Sequence, residues 1–543
     1  MTLEANSHFR IAERYFDYLA WRFPVMCASD EFHFLPRAEK AGDFYHRLDN
    51  LDQEAITESV EFLKKLQREL RVLEPEIISQ ETLFDLKLLK ANLNGVLIEL
   101  EQNRSWSYNP LLYLKIAFIG LEHALHKPSA SQAERTERIN ARLQSIPGLF
   151  QQAILNISSI PTSYHNASLC MIVDCEAYLN EFTLIPDIGA NTVFGNSRQK
   201  VLESLSQLLA FIRSVSPIPD QQFGTDTLSH SLENHFVIRR KPDEIFEIAV
   251  NDWQENVKEL EKLSQKIDGS RNWQKIYHTY RPPAATQDTL QLYEQETSYL
   301  ERFFRENGLD ETGLSSPVKM QETPTYLRSV RGTASFAAAF SSDKREMSYF
   351  YITTSLPGEN RTRETALLGE RFHREFQFLT AHETVPGHHY LDTIRRHLTN
   401  PIRRQIESPL FYEGWASYAE SLLPEYGYVD RPLDFLIDHK RRLWRAARCQ
   451  VDIGLPFGFL KKAEALDLLI STGFSREEAL RQIYRFQLNP GYQVCYCLGR
   501  YEIETLKKSF AGRLGREQFH SAILEGGELP FQLLREKLKR ICE

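Results

Sequence analysis

A mainly α-helical fold with one small β-sheet is predicted for this chain of 543 residues by three observations. Apolar residues recur at three- and four-residue spacing from residue 8 to about residue 270, the period of helices packed along one face. One run, Ser348-Tyr-Phe-Tyr-Ile-Thr-Thr354, is dense in the aromatic and β-branched residues that favour strands. Helical patterning then resumes from Arg363 and carries a His-Glu pair, His382-Glu383, into a cluster of histidines.

The helical period is clearest in Glu54 to Leu70 and repeats through 84 to 102, 133 to 155 and 198 to 215. Pro110, Pro128, Pro147, Pro161, Pro217 and Pro219 are read as turns between these helices. Such long apolar stripes suit packing within a bundle better than docking of a partner helix. Between about 315 and 360 the strand run predicts a small sheet next to the helix that carries His382. A sheet in that place can hold an extended substrate by backbone pairing at an edge strand, which makes Tyr351 a substrate-binding candidate; an ordinary structural hairpin has the same sequence signature. Further on, Ser475-Arg-Glu-Glu478 is a capping box that opens a helix with Arg485 near its end. The organisation expected is an N-terminal helical region, 1–310, followed by a metal-binding catalytic region, 311–543, packed as one continuous unit.

Composition bounds the partners. With 42% hydrophobic and 25% charged residues, the chain has ordinary globular composition. A net charge of −8 without a dense basic cluster argues against nucleic acid and against an anionic membrane, leaving a small molecule or short peptide as the expected substrate. The opening Met-Thr-Leu-Glu-Ala-Asn-Ser-His does not read as a secretory signal, and no stretch approaches the ~18 apolar residues of a membrane span, so the expected location is cytoplasmic. Seven cysteines, an odd and sparse set, suit reduced thiols. Cys495-Tyr-Cys497 lacks the spacing of a Cys-x-x-Cys hook and is read as packing.

The chemistry is concentrated in His382-Glu383-Thr-Val-Pro386-Gly387-His388-His389. In the common H-E-x-x-H arrangement, two histidines four apart on one helix face hold Zn²⁺ and the Glu between them activates water. Here Pro386 stands where the second histidine would be, and the histidines arrive six and seven residues after His382. On a straight helix seven residues span roughly 10.5 Å, too far for one ion bound at about 2.0 to 2.1 Å. Pro386 removes an intrahelical donor and Gly387 tolerates unusual dihedrals, so a bulge is expected to return His388 to His382, with His389 in support. A helix that simply ends at Pro-Gly, bearing surface histidines, is the plainer alternative. Leu410-Phe-Tyr-Glu413-Gly-Trp-Ala-Ser-Tyr-Ala-Glu420 offers Glu413 as the third ligand, at the head of an amphipathic helix, and Glu420 as a supporting acid.

The order of these segments resembles a bacterial family, domain-of-unknown-function family 885. The runs that carry the resemblance are His382 to His389, Glu413 to Glu420, Arg445 to Gly454, Pro490 to Tyr496 and Phe519 to Pro530, with Glu322-Thr-Pro-Thr-Tyr-Leu fitting upstream. The resemblance implies a helical gluzincin-like zinc metallohydrolase, with His382, His388 and Glu413 as ligands and Glu383 as general base. It also points to Tyr496 as the donor that stabilises an oxyanion. Arg445, Arg448 and Arg500 are first of all salt-bridge partners, with Arg500 the one offered as a substrate clamp, and His520 is taken as structural. The chain departs from the family pattern at Asp452-Ile-Gly454-Leu-Pro456, where a His is usual, and in lacking a Gln just after His389.

The expected function is a zinc-dependent hydrolase that cleaves an amide or peptide bond in a short peptide or amino-acid conjugate. The departure at Pro456 motivates one rival, a metal-dependent tailoring enzyme performing condensation, cyclisation or redox chemistry in a small-molecule pathway. A second is a non-catalytic helical binding protein with a relic site.

Overall fold

The computed structural model describes residues 7–73, 79–182, 192–220, 225–282, 288–331, 334–341, 343–356 and 362–543. Helices dominate, and the strands β1 (Val318–Glu322), β2 (Ala334–Ala337) and β3 (Ser348–Ile352) form a three-stranded sheet in the order β1-β3-β2. β3, which carries Tyr351, is therefore the central strand. Both of its edges are engaged by neighbours, so the expected pairing of a substrate with this strand is not available. Tyr351 is itself buried, its ring stacked at 5.7 Å on Tyr349.

The chain divides into two compact units that do not follow a cut at residue 310. The first comprises Met1–Gln221, Thr323–Ser348 and Asn400–Ile406. Its centre is the helix Pro110–His126, apolar on every side and buried at all but one of its first sixteen positions. The helix Gln132–Asn156 does not turn at Pro147 as the sequence suggested; it runs through. Burial of Ile139, Leu143, Ile146, Leu149 and Phe150 on one face outweighs the lost backbone bond. Arg142 on this helix is fully buried and donates from Nη1 to the Gly120 carbonyl at 2.5 Å.

The second unit comprises Gln222–Glu322, Tyr349–Thr399 and Glu407–Glu543. Residues 242–322 belong here because the helix Pro242–Asp268 packs along Pro432–Gly454. Leu260, Trp273, Ile276, Tyr277, Leu436 and Leu443 form the core of that seam, and Asn256 and His439 meet across it at 2.8 Å. The link between the strand and the helix that carries His382 runs through a third element. Tyr293, on the helix Thr289–Glu306, packs edge-on against Phe350 of β3 and against Phe372, and its hydroxyl donates to the Phe372 carbonyl at 2.9 Å. The capping box at Ser475 is present, with Glu478 N–H donating to the Ser475 hydroxyl and Ser475 N–H donating to the Glu478 carboxylate. Among the described residues no helix is long and apolar enough to cross a membrane.

Candidate metal centre

The helix Thr362–Glu383 stops directly after the His-Glu pair, and a new helix, His388–Arg396, starts at the next histidine. The expected bulge is thus a complete interruption. Thr384 N–H still reaches back to Thr380 at 2.7 Å, the Val385–Pro386 bond is cis, and Leu391 N–H opens the new helix on the Gly387 carbonyl. Gly387 is required for space: a Cβ there would lie 1.9 Å from the His382 carbonyl oxygen. Trp415 holds the connection from the other side, its indole N–H donating to the Pro386 carbonyl at 2.8 Å.

The reversal brings the His382 and His388 rings to 4.8 Å, nearly perpendicular. Glu413, on the helix Pro409–Tyr426, faces both: its Oε2 is 3.5 Å from His382 Nε2 and 3.5 Å from His388 Nε2. That helix is buried on nearly all sides, not amphipathic as expected. One donor atom from each of the three residues lies within 4.8 Å of the others. A tetrahedral ion bound at about 2.0 to 2.1 Å separates its ligand atoms by about 3.4 Å, which the two Glu413 distances match. Oε2 is buried and makes no hydrogen bond among the described residues, whereas Oε1 accepts from the Tyr492 hydroxyl at 2.7 Å. A deeply buried carboxylate oxygen aimed at two imidazole nitrogens is what a cation would satisfy, so the donor set fits Zn²⁺. Burial opposes ionisation of Glu413, but the two imidazoles hold it well below the usual carboxylate range.

Each donor is oriented from behind. His388 stacks on Tyr412 at 4.1 Å, and the Tyr412 hydroxyl donates to Asp392 at 2.8 Å. His382 Nδ1 is 3.0 Å from Glu420 Oε1. Arg445 Nη2 also lies 3.3 Å from that nitrogen, but the shorter approach and the charge of the carboxylate favour Nδ1–H donating to Glu420, which turns the Nε2 lone pair toward Glu413. Glu420 is held in turn by Arg441, from Nε and Nη2 at 2.8 Å each, and by both terminal nitrogens of Arg445. Burial would raise its pKa, yet the two guanidiniums keep it well below the ordinary range. Arg441 reaches on to Glu375 at 2.6 Å, which also binds Lys440 at 2.6 Å.

Glu383 is buried beside the cluster, its carboxyl raised by burial and by the negative charge of Glu413 against the pull of the two histidines. Tyr496, on the helix Val494–Phe510, stacks near-parallel to His382 at 6.2 Å; burial and Glu413 push its phenol up, so it stays a donor. Gly414 and Gly499 let these two helices touch, since a Cβ on Gly414 would lie 2.6 Å from the Gly499 Cα.

Three expected residues stand elsewhere. His389 is turned away, with Nε2 2.8 Å from the Ser316 carbonyl. Arg500 cannot serve as a substrate clamp as it stands, because its Nη2 is bound to both oxygens of Asp252 at 2.7 and 2.8 Å and Nη1 to Glu504. Tyr351 is held in the sheet. His520 is buried against Tyr418, with burial lowering its pKa to about 3. The roles of Tyr492, Arg441 and Trp415 were not read from the sequence; Tyr492 carried a signal, standing four residues before Tyr496 in the same segment, and so did Trp415, two residues after Glu413 in the Glu-Gly-Trp-Ala run.

Fold and site together define a helical protein with a buried two-histidine, one-glutamate donor set. Residues 36–538 match the family described as bacterial protein of unknown function (DUF885), and the chain belongs to it. Among solved structures that share the fold, two superimpose along nearly the whole chain. One, a candidate lipoprotein of unknown function from Shewanella oneidensis, superimposes with a TM-score of 0.74 at 19% identity, over 98% of this chain and 99% of that one. The other, a candidate lipoprotein from Colwellia psychrerythraea, gives 0.70 at 16% identity, over 97% and 99%. No curated protein matches the chain.

Proposed function

We propose that this protein is a gluzincin-like zinc-dependent hydrolase of an amide or peptide bond in a short peptide or amino-acid conjugate. The observation that carries the reading is the placement of Glu413 Oε2, buried, without a hydrogen bond and equidistant from two imidazole nitrogens. His382, His388 and Glu413 would hold the ion, which when bound supplies Lewis acidity and lowers the pKa of water toward ~7. Glu383, a buried carboxylate outside this donor set, takes the proton from the attacking water and returns it to the leaving nitrogen. Tyr496 donates its hydroxyl to the oxyanion that develops at the scissile carbonyl. Glu420 keeps the proton of His382 on Nδ1 throughout.

The test separates binding from chemistry. His382→Ala, His388→Ala and Glu413→Ala should each lose zinc, measured by elemental analysis, with helical content kept. Glu383→Gln should keep zinc and lose hydrolysis of a dipeptide panel by roughly 10² to 10⁴. Zinc-free wild-type protein after reconstitution, or unchanged turnover in Glu383→Gln, would refute the assignment.

A further inference from the structure

The cations around the centre are nearly all neutralised. Arg441 and Arg445 are bound to Glu420, Lys440 to Glu375, and Arg500 to Asp252. Arg448 differs. Among the described residues no carboxylate comes within ion-pair distance of it; its Nε, at 2.8 Å, and its Nη2 both donate to the neutral Oε1 of Gln493. Asp452, a carboxylate on which the Arg448 charge acts, has its two oxygens committed to the backbone N–H groups of Gly491 and Gln493, at 3.0 and 2.8 Å. Gln493 uses only two of the five guanidinium donors. Arg448 is half-buried, and its guanidinium carbon lies 4.1 Å from the centroid of the Tyr496 ring, with Trp444 at 5.6 Å and Phe486 at 5.8 Å.

This is a fixed positive charge next to the residue that stacks on His382, oriented by aromatic faces and a neutral amide. We propose that Arg448 binds a free carboxylate of the substrate, which makes the substrate a peptide or amino-acid conjugate with its carboxylate one or two residues beyond the cleaved bond. The reach follows from geometry. The 6.2 Å from His382 to Tyr496 and the 4.1 Å from Tyr496 to Arg448 bound the distance between metal cluster and guanidinium. A residue spans at most about 3.3 to 3.6 Å, so after contact distances at both ends only one or two residues fit between. A neutral side chain at 493 is essential to this role, because an acid there would consume the charge.

The inference rests on the hydrolase reading of the same centre, and its test includes a measurement independent of turnover. N-blocked dipeptides and tripeptides ending in a free acid or an amide are compared on zinc-loaded protein. In parallel, calorimetry compares N-(mercaptoacetyl)alanine with its amide, the thiol serving as metal anchor. The acid should be preferred about 10- to 100-fold in kcat/KM and in affinity, the range of a charge-assisted contact. Arg448→Met and Gln493→Glu should each bring that ratio toward one with zinc content and circular dichroism unchanged, and Arg448→Lys should keep part of it. Equal treatment of acid and amide by the wild type, or an undiminished ratio in Arg448→Met and Gln493→Glu, overturns the proposal. If no peptide is cleaved the hydrolase reading fails, while the thiol pair still decides whether Arg448 reads a carboxylate. Failure of the zinc-loaded protein to bind either thiol overturns both.

Discussion

Replacing Glu420 with Gln changes one atom and should cripple the proposed metal site, in which Glu420 is not a ligand. Glu420 is 1% exposed and accepts four bonds from Arg441 and Arg445 as well as the His382 Nδ1 proton. Guanidinium groups only donate. Each Glu420 oxygen accepts one bond from each arginine, and Oε1 also faces His382, so in Glu420→Gln the amide nitrogen meets two guanidinium nitrogens in either orientation and the two arginines lose their anionic anchor. With the carboxylate charge gone and the arginines displaced, His382 Nδ1–H loses the anionic acceptor that keeps the ring oriented with Nε2, 3.5 Å from Glu413, toward the ion site. Loss of such a supporting carboxylate typically costs 10- to 100-fold in metal affinity. Stability falls too, because a buried ion pair broken on one side costs on the order of 3 to 5 kcal/mol. The lower end is expected here, since Arg441 keeps Glu375 at 2.6 Å. The folded pKa of Glu420 is depressed, so its contribution to stability is complete above the unfolded value of about 4.3 and is lost as pH falls through the folded value. Zinc affinity is read by competition with a chelating dye at pH 7.5. Wild-type affinity in Glu420→Gln would refute the argument that the Glu420 charge orients His382 for the ion.

Other consequences follow from single atoms. Gly387→Ala should weaken zinc binding without touching a ligand, because its Cβ would fall 1.9 Å from the His382 carbonyl and push the two histidines apart; dye competition reads the loss. Gly499→Ala places a Cβ 2.2 Å from the Leu410 carbonyl and should cost at least the roughly 1 to 3 kcal/mol of overpacking, seen as a lower urea midpoint. Glu296 is buried with its carboxyl raised to about 7 by burial, against a hydrogen bond from Tyr428. The folded state holds that proton where the unfolded chain has released it, so stability should fall as pH rises from about 4.3 to about 7, by on the order of 3 kcal/mol. Glu296→Gln should flatten that decline, with a higher thermal midpoint at pH 8 than the wild type; an unchanged pH profile would contradict it.

Local features were legible in the sequence to the extent that they are decided locally. The helical period, the strand run at 348–354 and the Ser475 capping box depend on neighbours within a few positions, and each is present. Pro147 was misread because its effect is settled by the burial of Ile146, Leu149 and Phe150. The role of β3 was misread because a strand's place in a sheet depends on which segments pair with it. At the site, the spacing of His382 and His388 demanded an interruption at Pro386-Gly387 and one is there, but the reason for the glycine was visible only once the His382 carbonyl was located against it.

The parts of the centre that could not be read are those whose partners lie far along the chain. Glu375 and Arg441 are 66 residues apart, and neither stands in a pattern that distinguishes it from a surface charge. Yet these residues carry the electrostatic logic of the site. Glu413 must stay ionised and open on one oxygen, which Tyr492 achieves by occupying only the other. His382 must present Nε2, which Glu420 achieves by holding Nδ1–H, and Glu420 can do so only because two arginines prevent it from taking the proton. A motif specifies which atoms could meet a cation, whereas the protonation states that allow them to do so are set by the charges behind them. The same distinction separates Arg445 from Arg448. Three residues apart on one helix, they are alike in sequence, but Arg445 is consumed by Glu420 while Arg448 faces a neutral amide and keeps its charge for a ligand.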